Sequence, residues 1–181
     1  MDISLSNSEV APIWQANWQA QPSPAVSSVL LDWLLEAGSL TARLQSTGRA
    51  FQLQLMYQQS QTLPAFLQQR WQTTSGLVRE VVLYLDQQPC IYAQSFLPQH
   101  TVDALQPLAT LGEVPLGHYI FTQPDLSRSH IELAYFAEGL RLPELGIQPA
   151  LWGRRSYFTL SRHEMLVQEL YLPALTEFIS Q

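Results

Sequence analysis

Two charged residues interrupt apolar, strand-like runs, and both could hold an organic acid. Arg79 lies in Gly76-Leu77-Val78-Arg79-Glu80-Val81-Val82-Leu83-Tyr84-Leu85, a β-branched and aromatic stretch that reads as a strand. Side chains alternate across a strand, so Arg79 shares a face with Leu77, Val81, Leu83 and Leu85 and points toward the core. A guanidinium removed from water without a partner costs several kcal/mol. The fold must therefore offer it a carboxylate, from the protein or from a ligand, and a bidentate grip would fix both distance and plane. Glu169 sits in Leu166-Val167-Gln168-Glu169-Leu170-Tyr171-Leu172-Pro173, on a face with Val167 and Tyr171. Gln168 faces the opposite way, so the pattern leaves open which side is wet. Facing inward, Glu169 would be a candidate acid or hydrogen-bond donor, because desolvation favours the neutral carboxyl.

Other chemistries find little support. All nine basic residues are arginines, which excludes a lysine Schiff base and a Walker-type phosphate loop. His100, His118, His130 and His163 are isolated from one another in the sequence, so no metal site is expected. No nucleophile elbow accompanies the serines. Cys90 is the only cysteine, which rules out an internal disulfide; following Pro89 in a predicted strand, it reads as a buried, inert thiol. A net charge of −6 with no basic run argues against a nucleic-acid partner. Met1-Asp2-Ile3-Ser4 has no leader character, and no apolar stretch approaches the roughly 18 residues that span a bilayer, so a soluble, cytoplasmic protein is expected.

The elements that must position Arg79 and Glu169 follow from periodicity. A chain of 181 residues that is 46% hydrophobic suits one domain with a real core. Residues 1–22 read as an N-terminal arm pinned by Trp14 and Trp18, and residues 23–181 as a single domain. From Ser23-Pro24, the spacing of Val26, Val29, Leu30, Trp33 and Leu34 predicts a helix stopped by Gly38. Ser39 then caps a second short helix over residues 40–45. Residues 50–58 switch to period two, with Phe51, Leu53, Leu55 and Tyr57 on one face. A short apolar turn at 63–67 leads to the Arg79 strand, and the Asp86-Gln87-Gln88-Pro89 turn returns the chain as a hairpin over 90–97. Residues 101–108 read as helical, and Pro115 opens a further helical turn. Strands are expected at 129–136, 155–160 and 165–172, with a long loop at 137–151 that is either functional or an insertion. The sum is an α+β domain with a single antiparallel sheet of about six strands.

Five landmarks in order resemble one family. They are Leu31-Asp32-Trp33-Leu34-Leu35 followed by Ser39-Leu40-Thr41; Val78-Arg79-Glu80-Val81; Pro115-Leu116-Gly117-His118-Tyr119-Ile120-Phe121; Leu151-Trp152-Gly153-Arg154-Arg155-Ser156; and Glu169-Leu170-Tyr171-Leu172-Pro173. Together they resemble chorismate lyase, the small cofactor-free enzyme that eliminates pyruvate from chorismate to give 4-hydroxybenzoate for ubiquinone or plastoquinone synthesis. The resemblance implies helices covering an enclosed ligand cavity, a monomer, product inhibition, and chorismate and 4-hydroxybenzoate as the small-molecule partners. It implies that Arg79 binds the ring carboxylate, that Glu169 meets the hydroxyl end of the ring, and that Leu40 and Leu116 line the site. A related sheet serves as a small-ligand sensor in bacterial transcription regulators. That makes a non-catalytic aromatic-carboxylate sensor the alternative, although residues 1–22 are too few and too acidic for the DNA-binding helices such regulators carry. The chain departs from the family at Gln94-Ser95-Phe96, where an arginine is common. The 137–151 loop also looks long, and either difference could alter the site or its cover.

Overall fold

The computed structural model describes residues 13–22 and 24–180. A single turn of 3-10 helix (Ile13–Gln15) precedes α1 (Ser28–Leu34), α2 (Leu40–Gln45), β1 (Phe51–Thr62) and α3 (Ala65–Trp71). The hairpin strands β2 (Ser75–Leu85) and β3 (Gln88–Pro98) lead into α4 (Gln99–Ala104), a 3-10 turn (Gln106–Thr110) and α5 (Leu116–Ile120). Short strands β4 (Ser127–Arg128), β5 (Glu132–Phe136), β6 (Arg141–Leu142) and β7 (Gly146–Ile147) come next, then β8 (Leu151–Leu160), β9 (His163–Tyr171) and α6 (Pro173–Ile179).

Seven strands form one antiparallel sheet in the order β1-β2-β3-β9-β8-β4, with β5 also paired to β8, while β6 and β7 make a separate hairpin. The α+β antiparallel architecture expected from periodicity is therefore present. Both sheet faces are buried, and each carries two apolar clusters. On one face α1, α2 and α6 cover Leu53, Val81, Leu83, Ile91 and Tyr171, while residues 102–121 cover Leu77, Phe158 and Met165. On the other face α3 packs Leu67 and Trp71 on Val78 and Phe96, and Ile13 and Leu142 pack on Val82 and Tyr92.

Several boundaries differ from expectation for local reasons. The first helix begins at Ser28, because the Ser27 hydroxyl accepts from the Leu30 amide and caps it there. The apolar turn at 63–67 grows into α3, and the chain closes with α6 after Pro173, a helix start the sequence reading did not use. Gln19 exchanges two backbone hydrogen bonds with Leu133, so the arm docks on β5, and Trp18 stacks edge-on against Phe136. Residues 1–12, Ser23 and the Trp14 side chain lie outside the described residues. Among the described residues no helix is long and apolar enough to cross a membrane.

A β-bulge decides what meets Arg79. Leu55 pairs with Val81 but Tyr57 pairs with Glu80, so Met56 is the extra residue and the alternation flips beyond it. Tyr57 consequently leaves the face of Phe51, Leu53 and Leu55, contrary to strict period two, and packs beside α3. Gln58 takes the vacated face directly opposite Arg79.

Two side-chain environments here lead to measurable outcomes. Glu164 on β9 accepts from Arg70 Nε and Nη2 at 2.6 and 2.8 Å and from Trp71 Nε1 at 2.6 Å, tying α3 to the sheet. Burial pushes its carboxyl up, but the Arg70 and Trp71 hydrogen bonds outweigh this and hold it below the usual value near 4.5. A depressed folded pKa means stabilisation that is present above about pH 4.5 and lost as the pH falls through the folded value. Glu164→Gln should therefore lower the unfolding temperature at pH 7, and the gap to wild type should narrow as the pH is lowered toward 3 in thermal scans. An equal gap at both pH values would rule the ion pair out as its cause.

Cys90 is fully buried, with its thiol 3.4 Å from the Gln88 carbonyl, and burial pushes it up to about 11. A thiol-disulfide reagent at pH 8 should titrate it only after denaturant is added, because the nucleophilic thiolate is suppressed and enclosed. Rapid reaction of the native protein would contradict that burial.

Candidate active site

Two rows of cross-strand neighbours floor a pocket on the face covered by α2 and α5. In the first row Arg79 on β2 faces Ser95 on β3, Ser95 faces Val167 on β9, and Val167 faces Ser156 on β8. In the second, Val81, Ala93, Glu169 and Arg154 follow in the same strand order. With strands about 4.8 Å apart and about 3.4 Å per residue, Arg79 and Glu169 stand about 10 Å apart across the sheet and about 7 Å along it. An elongated acid with a polar group at its far end suits that separation.

Arg79 is 2% exposed, yet no ion pair among the described residues includes it. Its Nη1 donates to Gln58 Oε1 at 2.6 Å and to the Gly112 carbonyl at 2.8 Å, and its Nη2 donates to the Val114 carbonyl at 3.0 Å. All three acceptors are neutral. Burial pulls the guanidinium down to about 10, the mark of a cation held without a counter-charge. The carboxylate anticipated for Arg79 is thus absent from the described residues.

Glu169 is paired. Arg154 Nε donates to Glu169 Oε2 at 2.6 Å, and the Arg154 side chain is only 2% exposed. Burial opposes the Arg154 charge, but the Glu169 carboxylate outweighs it and raises the guanidinium above its ordinary range. Glu169 thus takes the inward of the two orientations the sequence left open, and its carboxylate meets a buried guanidinium there. Arg154 is the partner the sequence reading passed over. It sits in the Trp152-Gly153-Arg154 landmark and, two residues from Ser156 on a buried strand, could have been recognised by the same alternation that singled out Arg79. Gly153 permits the close pairing, since a Cβ there would lie 2.7 Å from Leu170 Cδ2 and 3.2 Å from the Glu169 carbonyl oxygen.

Each guanidinium also holds part of the cover. Arg79 bonds the 112–114 carbonyls ahead of α5, and Arg154 Nη1 bonds the Leu34 and Glu36 carbonyls between α1 and α2 at 3.3 and 2.8 Å. Above the sheet α2 contributes Leu40 and Thr41, and the α5 start contributes Pro115, Leu116 and Gly117. Gly117 lets these two helix starts meet, because a Cβ there would lie 3.3 Å from Ser39 Oγ. Leu40, Arg79, Leu116 and Glu169 all line the pocket together with Arg154 and Ser95.

Two expectations about the surroundings change, and one further residue stays outside the site. Gln94 lies on the opposite face, where it donates to Glu80 Oε1 at 2.9 Å and accepts from Gln168 at 3.2 Å, so its replacement of an arginine does not touch the pocket. The 137–151 segment is the β6–β7 hairpin, and its Leu140, Leu142 and Leu145 pack on that same opposite face rather than over the site. His118 is exposed on α5 and does not line the pocket.

Fold and site together define a class: an α+β antiparallel-sheet protein with a pocket between the sheet and two short helices, lined by two arginines and a glutamate. Solved structures share the fold. The effector domain of PhnF from Mycobacterium smegmatis superposes with a TM-score of 0.54 at 15% identity, covering 76% of this chain and 90% of that one. The possible transcriptional regulator YydK from Bacillus subtilis gives 0.52 at 13%, covering 70% and 60%. Among sequences, a probable chorismate pyruvate-lyase of Pseudoalteromonas translucida is 40% identical over 87% of this chain and 92% of its own length. One of Pseudoalteromonas atlantica is 34% identical over 92% and 91%. The chorismate lyase family profile matches residues 11–179, and the chain belongs to that family.

Proposed function

We propose that the protein converts chorismate to 4-hydroxybenzoate and pyruvate. The observation that supports this most is Arg79, a buried cation lining the pocket with only neutral partners and so ready for a ligand carboxylate. In the proposed complex Arg79 grips the ring carboxylate and Glu169 accepts from the C4 hydroxyl at the other end. Net loss of the C4 hydrogen and of the enolpyruvyl ether at C3 aromatises the ring, and the enolpyruvyl methylene gains the hydrogen that makes it pyruvate. Aromatisation drives the reaction, so the protein's part is to hold ring and side chain in a reactive geometry and stabilise the departing oxygen. Leu40 and Leu116, from the two cover helices, close over the ring. A covered site that grips an aromatic acid also grips its product, so slow release and product inhibition belong to the same reading. The product would feed a quinone pathway, with the enzyme acting as a monomer.

Purified protein incubated with chorismate should yield 4-hydroxybenzoate, followed by chromatography, and an equal amount of pyruvate, followed with lactate dehydrogenase. The structural likeness to regulator ligand-binding domains supports a second reading, an aromatic-carboxylate sensor. Chorismate returned intact while 4-hydroxybenzoate still binds would select that one.

A further inference from the structure

The substrate proposed above has two carboxylates, and Arg79 accounts for one. The second is on the enolpyruvyl group at C3, beside the C4 hydroxyl, and therefore at the Glu169 end of the pocket. Arg154 is the other cation lining that pocket. Its Nε is taken by Glu169 and its Nη1 by the Leu34 and Glu36 carbonyls, whereas its Nη2 has no hydrogen-bond partner among the described residues. Arg128 adds positive charge beside it, with Nε on Ser156 Oγ at 2.9 Å and Nη1 on the Glu36 carbonyl at 2.8 Å, and has no ion pair among the described residues. The nearby Glu36 carboxylate is engaged by Arg43 Nη1 and the Gly38 amide and does not line the pocket.

Resting on the lyase reading, we propose that Arg154 is a substrate-binding residue, with Nη2 as the anchor for the enolpyruvyl carboxylate. One planar guanidinium then aligns both leaving-side contacts, Glu169 through Nε and the enolpyruvyl group through Nη2. As the C3–O bond breaks, its electron pair passes to the ether oxygen. The carboxylate of the resulting enolpyruvate stays held while its methylene gains a hydrogen to give pyruvate. 4-Hydroxybenzoate lacks this carboxylate, so Arg154 separates substrate from product while Arg79 and Glu169 hold both.

The test compares 3-(carboxymethoxy)-4-hydroxybenzoate with its near-isosteric carbamoylmethoxy amide, by titration calorimetry on the full chain. Wild type should bind the acid roughly tenfold more tightly than the amide, as expected for one charge-assisted contact. Arg154→Gln should abolish that preference, and Arg154→Lys should keep part of it. Taking the acid-to-amide ratio within each protein cancels any general effect exerted through Glu169. Equal binding of the two compounds by wild type, an arm that needs no variant to fold, would overturn the assignment. So would an undiminished preference in Arg154→Gln. Absence of pyruvate formation from chorismate in wild type would defeat the lyase reading instead, and is read separately from the ratio.

Discussion

Arg79→Met should lower kcat/KM for chorismate by about 1,000-fold while the protein stays folded. Two charge-assisted hydrogen bonds at roughly 1.5–3 kcal/mol each set that scale. Methionine fills similar space without a charge but leaves the Gln58, Gly112 and Val114 acceptors without their donor, so thermal unfolding should fall by several degrees in a variant that still folds. Saturating 4-hydroxybenzoate should raise the wild-type unfolding temperature, since a ligand at about 100 times its Kd adds about 2.7 kcal/mol, and Arg79→Met should lose that shift. Arg79→Lys keeps the charge but not the planar fork, and should fall between the two. A methionine variant within threefold of wild-type kcat/KM would refute the clamp, because no other cation at that end of the pocket is available among the lining residues.

Glu169→Ala should damage stability as well as turnover. It leaves the Arg154 guanidinium, 2% exposed, without its carboxylate. Removing one partner of a buried ion pair costs about 3–5 kcal/mol, which corresponds to a fall of roughly 10 °C in a chain of this size. Activity should drop at least about 100-fold, as the C4 hydroxyl loses its acceptor. Combining Arg154→Met with Glu169→Leu should recover much of the unfolding temperature, by removing both charges, and recover none of the turnover. An unchanged unfolding temperature in Glu169→Ala would mean the pair contributes nothing to the fold, and recovered turnover in the double variant would exclude both residues from the chemistry.

Arg79 and Glu169 show how far alternation can be read. Arg79 stood out because every neighbour on its face is apolar, and a burial argument needs nothing more. Glu169 was ambiguous because Gln168 is as polar as it is, and on β9 both turn out to be enclosed, Gln168 on the back face with Gln94 and Glu169 in the pocket. When both sheet faces are covered, polarity no longer marks the outside. The same double burial explains why Gln94 was linked to the substrate: only its face, set by pairing to Glu80 and Gln168, removes it from the pocket. The partner of Arg79 was hidden for a different reason. Gln58 reaches it through a bulge at Met56, and a bulge leaves no period in the sequence to follow.

By itself the sequence determined the α+β class, the α2 cap at Ser39, the β2–β3 hairpin, the buried Arg79, the exclusion of lysine chemistry and the family. These rest on local rules: periodicity, capping, turn residues, composition and an ordered set of landmarks. Tertiary structure decided the rest. Strand register set Arg154 beside Glu169; the bulge supplied Gln58; and the packing of β6–β7 on the back face took the long loop away from the site. Each of these depends on which residues far apart in the chain become neighbours, and that is fixed by the pairing of strands rather than by the residues on any one of them.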